Sequence, residues 1–439
     1  MTQKKVKIKA QPTKDFFITM LTIDIGLRQA IVDLIDNCVD GAIRMQPKGK
    51  YKDLDVQLTV KPELFRISDN CGGISVEKAK EYAFRFGRPK NVSHTPHSIG
   101  QFGVGMKRAL FKLGSNFVIE STTETDQFKV VVDVNDWKTN DIWEFYFDEL
   151  NPISSPLEKC GTRITVNSLH ESVADDFGLE NFIDKLRDEI MDKHHHAIEN
   201  GLNIVLNGIP LESHPMEFLY SNALKPAYFE ETYDLNTSSV NVRIYAGIGK
   251  SWPPDSGWYI YCNGRMIMRA DQTLATGWGI SGENAIPKYH NEFARFRGFA
   301  YFTSENAGLL PWNTTKTGVD SDSAIYRVIK QKMVTLMRPV ITFLYRLDEE
   351  KDRETDDKPL EAAVAKSKPR SVARVRTSRT FSWPKQDLRP KLPKRGLIAY
   401  NKPVVQIAKI KKVLKVLTYK AVGEKTFEYF YERECKDNA

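Results

Sequence analysis

Cysteine is scarce and scattered in this sequence. The five present, Cys38, Cys71, Cys160, Cys262 and Cys435, are odd in number and form no Cys-x-x-Cys pair. This argues against a cysteine zinc site and against a disulfide framework, and fits a reducing compartment. Long apolar runs are missing too: no stretch approaches the ~20 residues of a membrane-spanning helix. Met1 to Ala10 is polar and lysine-rich and lacks the apolar core of a secretory signal. The expected location is therefore cytoplasmic, or nuclear in a eukaryote, with no membrane partner. No internal repeat is apparent. Acidic residues nearly vanish from one stretch, Val364 to Lys420, which holds 17 Lys and Arg against the single acid Asp387. That stretch carries +16, which leaves −8 for the rest of a chain whose total is +8. A mildly acidic body with a basic C-terminal segment suits either a polyanion such as DNA, bound through residues 364–420, or a solvated linker.

What is present is an ordinary globular composition, 41% hydrophobic and 27% charged, in 439 residues. At roughly 150 residues per domain this suggests two or three domains. Gln29 to Arg44 has apolar residues at helical spacing. Val56 to Val60 and Leu64 to Ser68 alternate as strands about a Lys61-Pro62 turn. A helix is expected over Glu77 to Phe86, a polar loop over Arg88 to Ile99 and a helix over Gly105 to Leu113. Strands are expected at Phe117 to Ser121, Phe128 to Val134, Trp143 to Phe147 and Thr162 to Val166. Hairpin-like pairs interleaved with helices favour an α+β sandwich over a doubly wound sheet. Phe182 to Ile198 reads as a helix. Strands at Ile204 to Leu206, Val240 to Tyr245, Trp258 to Cys262 and Phe299 to Phe302 follow, and a long helix from Ala324 to Leu347, interrupted near Pro339, closes a second α/β domain. The expected division is 1–200, 201–347, a basic linker over 348–400, and a C-terminal segment over 401–439 with a helical pattern from Val404 to Val416.

Three short motifs carry chemistry. The first is Asp33-Leu34-Ile35-Asp36-Asn37-Cys38-Val39-Asp40-Gly41-Ala42. Helical spacing of four places Asp33 and Asn37 on one face, with Asp40 a turn further. A carboxylate beside a carboxamide can share a magnesium ion and orient a water for attack on a phosphate. The second, Ser68-Asp69-Asn70-Cys71-Gly72-Gly73-Ile74, follows a strand. A buried aspartate there can accept from an exocyclic amine, and glycine lets backbone approach a flat ring. The third is Ser98-Ile99-Gly100-Gln101-Phe102-Gly103-Val104-Gly105-Met106-Lys107. Glycines leading into a helix N-terminus expose N–H groups suited to phosphates, and Lys107 can add charge. This run is neither a Rossmann fingerprint nor a Walker loop.

Each motif alone also reads as a polar helix face or a glycine-rich turn, but their order and spacing together resemble the GHKL (gyrase, heat-shock-90, histidine kinase, MutL) or Bergerat-fold ATPases. The resemblance covers roughly residues 15–345. It implies a Bergerat-fold ATPase domain, a smaller α/β transducer domain and a basic, partly disordered C-terminal segment. It further implies Asp33 as general base, Asn37 on Mg2+, Asp69 on adenine, and Gly100, Gly103, Gly105 and Lys107 in the ATP lid. Asp40 and Gly73 fall in the same nucleotide site, and Thr162 of the Gly161-Thr162 pair is expected near adenine. Leu310-Pro311-Trp312-Asn313-Thr314-Thr315-Lys316-Thr317 resembles the transducer loop of gyrase B, MutL and MORC proteins, which makes Lys316 the candidate for the γ-phosphate. Tyr261 to Ile267 looks like the adjoining transducer strand. Two departures stand out. Asp33 replaces the family's usual glutamate, and Gly72 and Gly73 are adjacent after Cys71. The expected activity is slow ATP hydrolysis by a homodimer that opens and closes, acting on DNA as MORC proteins do. A heat-shock-90-like chaperone and a nucleotide-binding scaffold with negligible turnover are the alternatives. His194-His195-His196 reads as a solvated helix end rather than a metal site. His94 and His97 fall in the lid loop, where they either touch phosphate or stand exposed.

Overall fold

The computed structural model describes residues 11–87, 95–100, 103–152, 160–235, 238–282, 285–351, 358–384 and 398–435. The chain divides into two compact units, Met1–Pro384 and Lys385–Ala439. The architecture is α+β.

The first sheet of the larger unit contains β1 (Asp55–Lys61), β2 (Leu64–Asp69), β3 (Gly114–Thr122), β4 (Asp126–Asp133), β5 (Glu149–Pro152), β6 (Gly161–Leu169), β7 (Asn203–Leu206) and β8 (Ile209–Pro210). Their spatial order is β5-β4-β3-β6-β2-β1-β7-β8. All neighbours are antiparallel except β1 and β7. Alternating burial along β1 and β2 reflects the two-residue period of side chains on a sheet with one buried face. Helices α1 (Lys14–Ile23), α2 (Leu27–Met45), α3 (Gly105–Leu113), α4 (Glu171–Phe177) and α5 (Glu180–Lys193) belong to this layer. The central helix is α2, buried almost continuously from Gln29 to Ala42. Two strands beyond residue 200, β7 and β8, join this first sheet.

The second sheet follows. Strands β9 (Glu217–Tyr220), β10 (Ala227–Leu235), β11 (Ser238–Ile248), β12 (Gly257–Cys262), β13 (Arg265–Asp271), β14 (Phe296–Thr303) and β15 (Lys368–Ser371) are present. Five of them order as β10-β11-β14-β12-β13, and β15 pairs with β9. Helix α6 (Ala324–Lys351) packs on β11 and β14.

The structure departs from the sequence reading in several places; the helix expected over Phe182 to Ile198, for one, ends at Lys193, and a separate turn of helix spans His195–Glu199. Trp143 to Phe147 is not a strand. Its aromatics enter a cluster instead, with Trp143 and Phe145 against Trp137 at 5.5 and 5.2 Å and Phe147 against Phe128 at 5.2 Å. The edge position beside β4 goes to β5. The helix expected from Glu77 is a short α-turn, Val76–Lys78, that widens into a π-turn, Ala79–Ala83. Helix α6 runs unbroken through Pro339 because Met333, Val334, Met337, Val340, Ile341 and Phe343 are buried on either side. That tertiary burial outweighs one missing backbone hydrogen bond. Finally, part of the expected linker is folded: α7 (Pro359–Lys366) and β15 pack down, and Phe381 and Trp383 lie 5.3 and 5.9 Å from Phe343.

The smaller unit presents α8 (Val404–Leu414) and α9 (Tyr419–Glu434) among its described residues. The first of these matches the expected helix. Val422 is the one described residue buried in the pair.

Candidate functional site

Helix α2 points its first motif at a cavity of about 210 Å³ lined by Asp33, Asn37, Asp40, Asp69, Gly73, Gly100, Gly103, Gly105, Thr162 and Lys316, among others. From Ala30 to Ala42, Asn37 is the one exposed residue, so its carboxamide opens on the cavity while its neighbours pack inward. Asp33 is buried, and both its oxygens are engaged: Oδ1 accepts from Gln29 Nε2 at 2.9 Å, and Oδ2 pairs with Arg108 Nη2 at 2.6 Å. Asp40 accepts the backbone N–H groups of Ile99 and Gly100 at 2.6 and 2.8 Å. Burial pushes its carboxyl up, and these two bonds partly offset the rise. Asp40 thus ties the lid's first glycine to α2.

Asp69 closes β2 and also lines the cavity. It accepts from Cys71 N–H at 2.7 Å, from the Cys38 thiol at 3.4 Å and from the backbone of Thr162. Burial raises the Asp69 carboxyl, and these donors hold it back. The adjacent glycines after Cys71 have φ of +89° and +67°, two successive left-handed residues that favour glycine. A Cβ on Gly73 would lie 2.2 Å from Thr122 O, and one on Gly161 would lie 1.9 Å from Asp69 O. The strand carrying Thr162 therefore packs against the Asp69 backbone only because residue 161 has no side chain. The Thr162 hydroxyl lies 3.2 Å from Ser121 Oγ, which accepts Ile74 N–H at 2.7 Å. Leu34, Ile67, Ile74 and Ile164 supply apolar wall.

The third motif's glycines, Gly100, Gly103 and Gly105, also line the cavity. Gln101, Phe102 and His94 lie outside the described residues. His97 does not line the cavity; its N–H meets Glu305 O at 3.4 Å. Lys107 also lies apart from the cavity. Its ammonium is buried and donates to Ala83 O at 2.8 Å and to Gly103 O, so it anchors the lid's end to the π-turn. Burial pushes its pKa down to about 7. The cation that α3 turns into the cavity is Arg108, one residue on, which a 100° step around the helix brings to Asp33.

Lys316 arrives with Thr314 from the loop that follows β14 of the second sheet. Its ammonium pairs with Asp36 Oδ2 at 2.8 Å, and Arg265 Nε lies 2.8 Å from Oδ1 of the same carboxylate. Asp36 is fully buried. Burial alone would raise it, but Arg265, Lys316 and His194 hold it well below the ordinary carboxylate range. Asn263 bridges the segment before the lid motif's glycines and the end of β14: its Nδ2 donates to Ser98 O and Ser304 O, each at 3.0 Å. His194 and His195 are buried rather than solvated, and among the described residues no group of three His, Cys, Asp or Glu side chains is arranged to hold a metal ion. Arg108, Asp36, Arg265 and Cys38 were not singled out from the sequence. Asp36 and Cys38 lie inside the first motif, and Arg265 lies inside the strand noted beside the Lys316 loop, but nothing local distinguishes them.

These groups are of the kinds a nucleotide would use, and Asn37 is the residue whose open carboxamide would hold a magnesium ion. The cavity lining offers the half-buried Asp69 carboxylate, Gly73, where a Cβ would meet Thr122 O, and the open Asn37 carboxamide beside Asp33. No helix among the described residues is long and apolar enough to cross a membrane. No curated protein matches the chain. Residues 25–162 match the family described as Histidine kinase-, DNA gyrase B-, and HSP90-like ATPase, and they contain every cavity residue named above except Ile164, Thr314 and Lys316. By this match, this segment of the chain is a GHKL ATPase domain.

Proposed function

We propose that the chain binds ATP with Mg2+ in this cavity, hydrolyses it slowly to ADP and phosphate, and works as an ATP-gated homodimeric clamp on DNA in the manner of MORC proteins. The observation that carries the ATP reading is the convergence of Asp33, Asn37, Asp69, Thr162, the lid glycines and Lys316, drawn from both sheet domains, on one cavity. In this reading Asp69 takes the adenine amine, with Gly73 and Thr162 beneath the ring, and Asn37 holds Mg2+. The ion would screen phosphate charge. Asp33 orients the attacking water, and Lys316 from the transducer domain meets the γ-phosphate, so ATP and ADP make different contacts across the domain boundary. Dimerisation gains support from α1, where Phe16, Met20 and Ile23, four and three residues apart, are 60%, 54% and 66% exposed. The basic residues between 364 and 420 suit a phosphate backbone.

The scaffold reading, with negligible turnover, draws on the two partners that already engage both Asp33 oxygens. One pair of variants separates the two. Asp33→Ala is expected to keep ATP binding and lose turnover by at least about 100-fold. Asp69→Asn is expected to lose binding. Normal hydrolysis by both would show that the site is misassigned, and equal, negligible turnover by wild type and Asp33→Ala would favour the scaffold.

A further inference from the structure

Asp36 stands immediately before Asn37 but does not line the cavity. It is instead the point where the two sheet domains meet electrostatically. Lys316 Nζ lies 2.8 Å from one oxygen, and Arg265 Nε and His194 Nε2 lie 2.8 and 3.6 Å from the other. Two permanent cations on one buried carboxylate exceed what charge balance requires, while an unpaired buried carboxylate is costly. Lys316 differs from Arg265 in one respect: it lines the cavity, whereas Arg265 is wholly enclosed. Arg265 also holds donors in reserve. Its Nη2 has no hydrogen-bond partner, and its Nε, although close to Asp36, is not aligned for one. The Lys316 backbone is left-handed, at φ 54°, which is uncommon for a residue bearing a Cβ.

We propose that Asp36 is the resting partner of Lys316, from which a γ-phosphate draws the ammonium away, and that Arg265 is the fixed counter-ion that keeps Asp36 paired afterwards. The inference rests on the reading that Lys316 meets the γ-phosphate. It adds that this contact is a competition between two anions rather than the filling of an empty place. ADP has no third phosphate to compete, so Lys316 stays on Asp36 and the second domain stays in its resting register. Asp36 and Arg265 are positioning residues, acting through Lys316.

The test compares calorimetric affinities for ADP and for the non-hydrolysable analogue AMPPNP in wild type, Asp36→Asn, Lys316→Met and the double variant. Lys316→Met is expected to weaken AMPPNP by about tenfold and leave ADP within about twofold. Asp36→Asn is expected to do the reverse, strengthening AMPPNP relative to ADP by about tenfold because the competing anion is gone. The double variant should match Lys316→Met. If Lys316→Met leaves the AMPPNP-to-ADP ratio untouched, the γ-phosphate reading itself fails. If Lys316→Met behaves as expected but Asp36→Asn leaves the ratio unchanged or lowers it, the competition is overturned and that reading survives. Should Asp36→Asn not fold, structures of the wild-type chain with each nucleotide decide. Lys316 on Asp36 with ADP, and Arg265 alone on Asp36 with AMPPNP, supports the proposal; the same Asp36 partners in both states overturn it.

Discussion

Asp33 occupies the position where the resemblance places glutamate, one methylene shorter, and Gln29 and Arg108 already hold its two oxygens. Arg108 escaped the sequence reading for the reason that misplaced Lys107: both follow the lid glycines, and only the rotation of α3 decides which cation faces the cavity. His194 shows the same dependence on packing. In a run of three histidines it looked solvated, yet it is buried beside Asp36, Arg265 and Lys316. Burial and then Arg265 push its pKa from 6.5 down to about 3. The folded state thus refuses a proton that the unfolded chain accepts below about 6.5, so this contribution is intact above that pH and is lost as pH falls toward 3. His195 and His196 are shifted the same way by burial, so only a difference measurement isolates His194. Between pH 7 and pH 5, wild type is expected to lose roughly 2 kcal/mol more unfolding free energy than His194→Gln. Urea unfolding at the two pH values checks this, and parallel losses would contradict it.

Among the elements, α2, α3, β1, β2 and β6 were legible because their periodicities are long and agree with local chemistry. Trp143 to Phe147 was not. Alternating aromatics satisfy a strand pattern, but a strand also needs a partner edge, and β5 takes it. The segment from Lys358 to Pro384 reads as linker because proline, serine and arginine dominate it. A few apolar residues override that composition: Leu360 and Phe381 are buried. Phe381→Ala is expected to destabilise the larger unit by about 3–4 kcal/mol, as for other buried phenylalanines cut to alanine. Thermal or urea unfolding reads this directly, and a change under about 1 kcal/mol would return the segment to a loosely attached strap.

For the whole molecule, the proposed clamp makes two measurable claims. Light scattering is expected to find a monomer with ADP and a dimer with AMPPNP. Replacing Phe16, Met20 and Ile23 by serine should leave a monomer under both conditions with nucleotide affinity unchanged. A wild-type monomer with AMPPNP would remove the clamp and leave the ATP site standing. Removal of residues 385–439 should weaken DNA binding and flatten its salt dependence, because Lys385 to Lys420 accounts for 11 of the 17 basic residues in the charged stretch. No change on truncation would mean that this segment does not hold DNA.

The sequence alone determined the residue types that chemistry needs and their order: an acid and a carboxamide a helical turn apart, an aspartate after a strand, glycines before a helix. Those signals are local, and a period of 3.6 or 2 carries them. Only the tertiary structure decided which side chains meet. Lys316 and Asp36 are 280 residues apart, and no local pattern links them. The same holds for the choice of Arg108 over Lys107 and for the burial of His194. Each depends on how distant segments pack against one another, a property that no short stretch of sequence encodes.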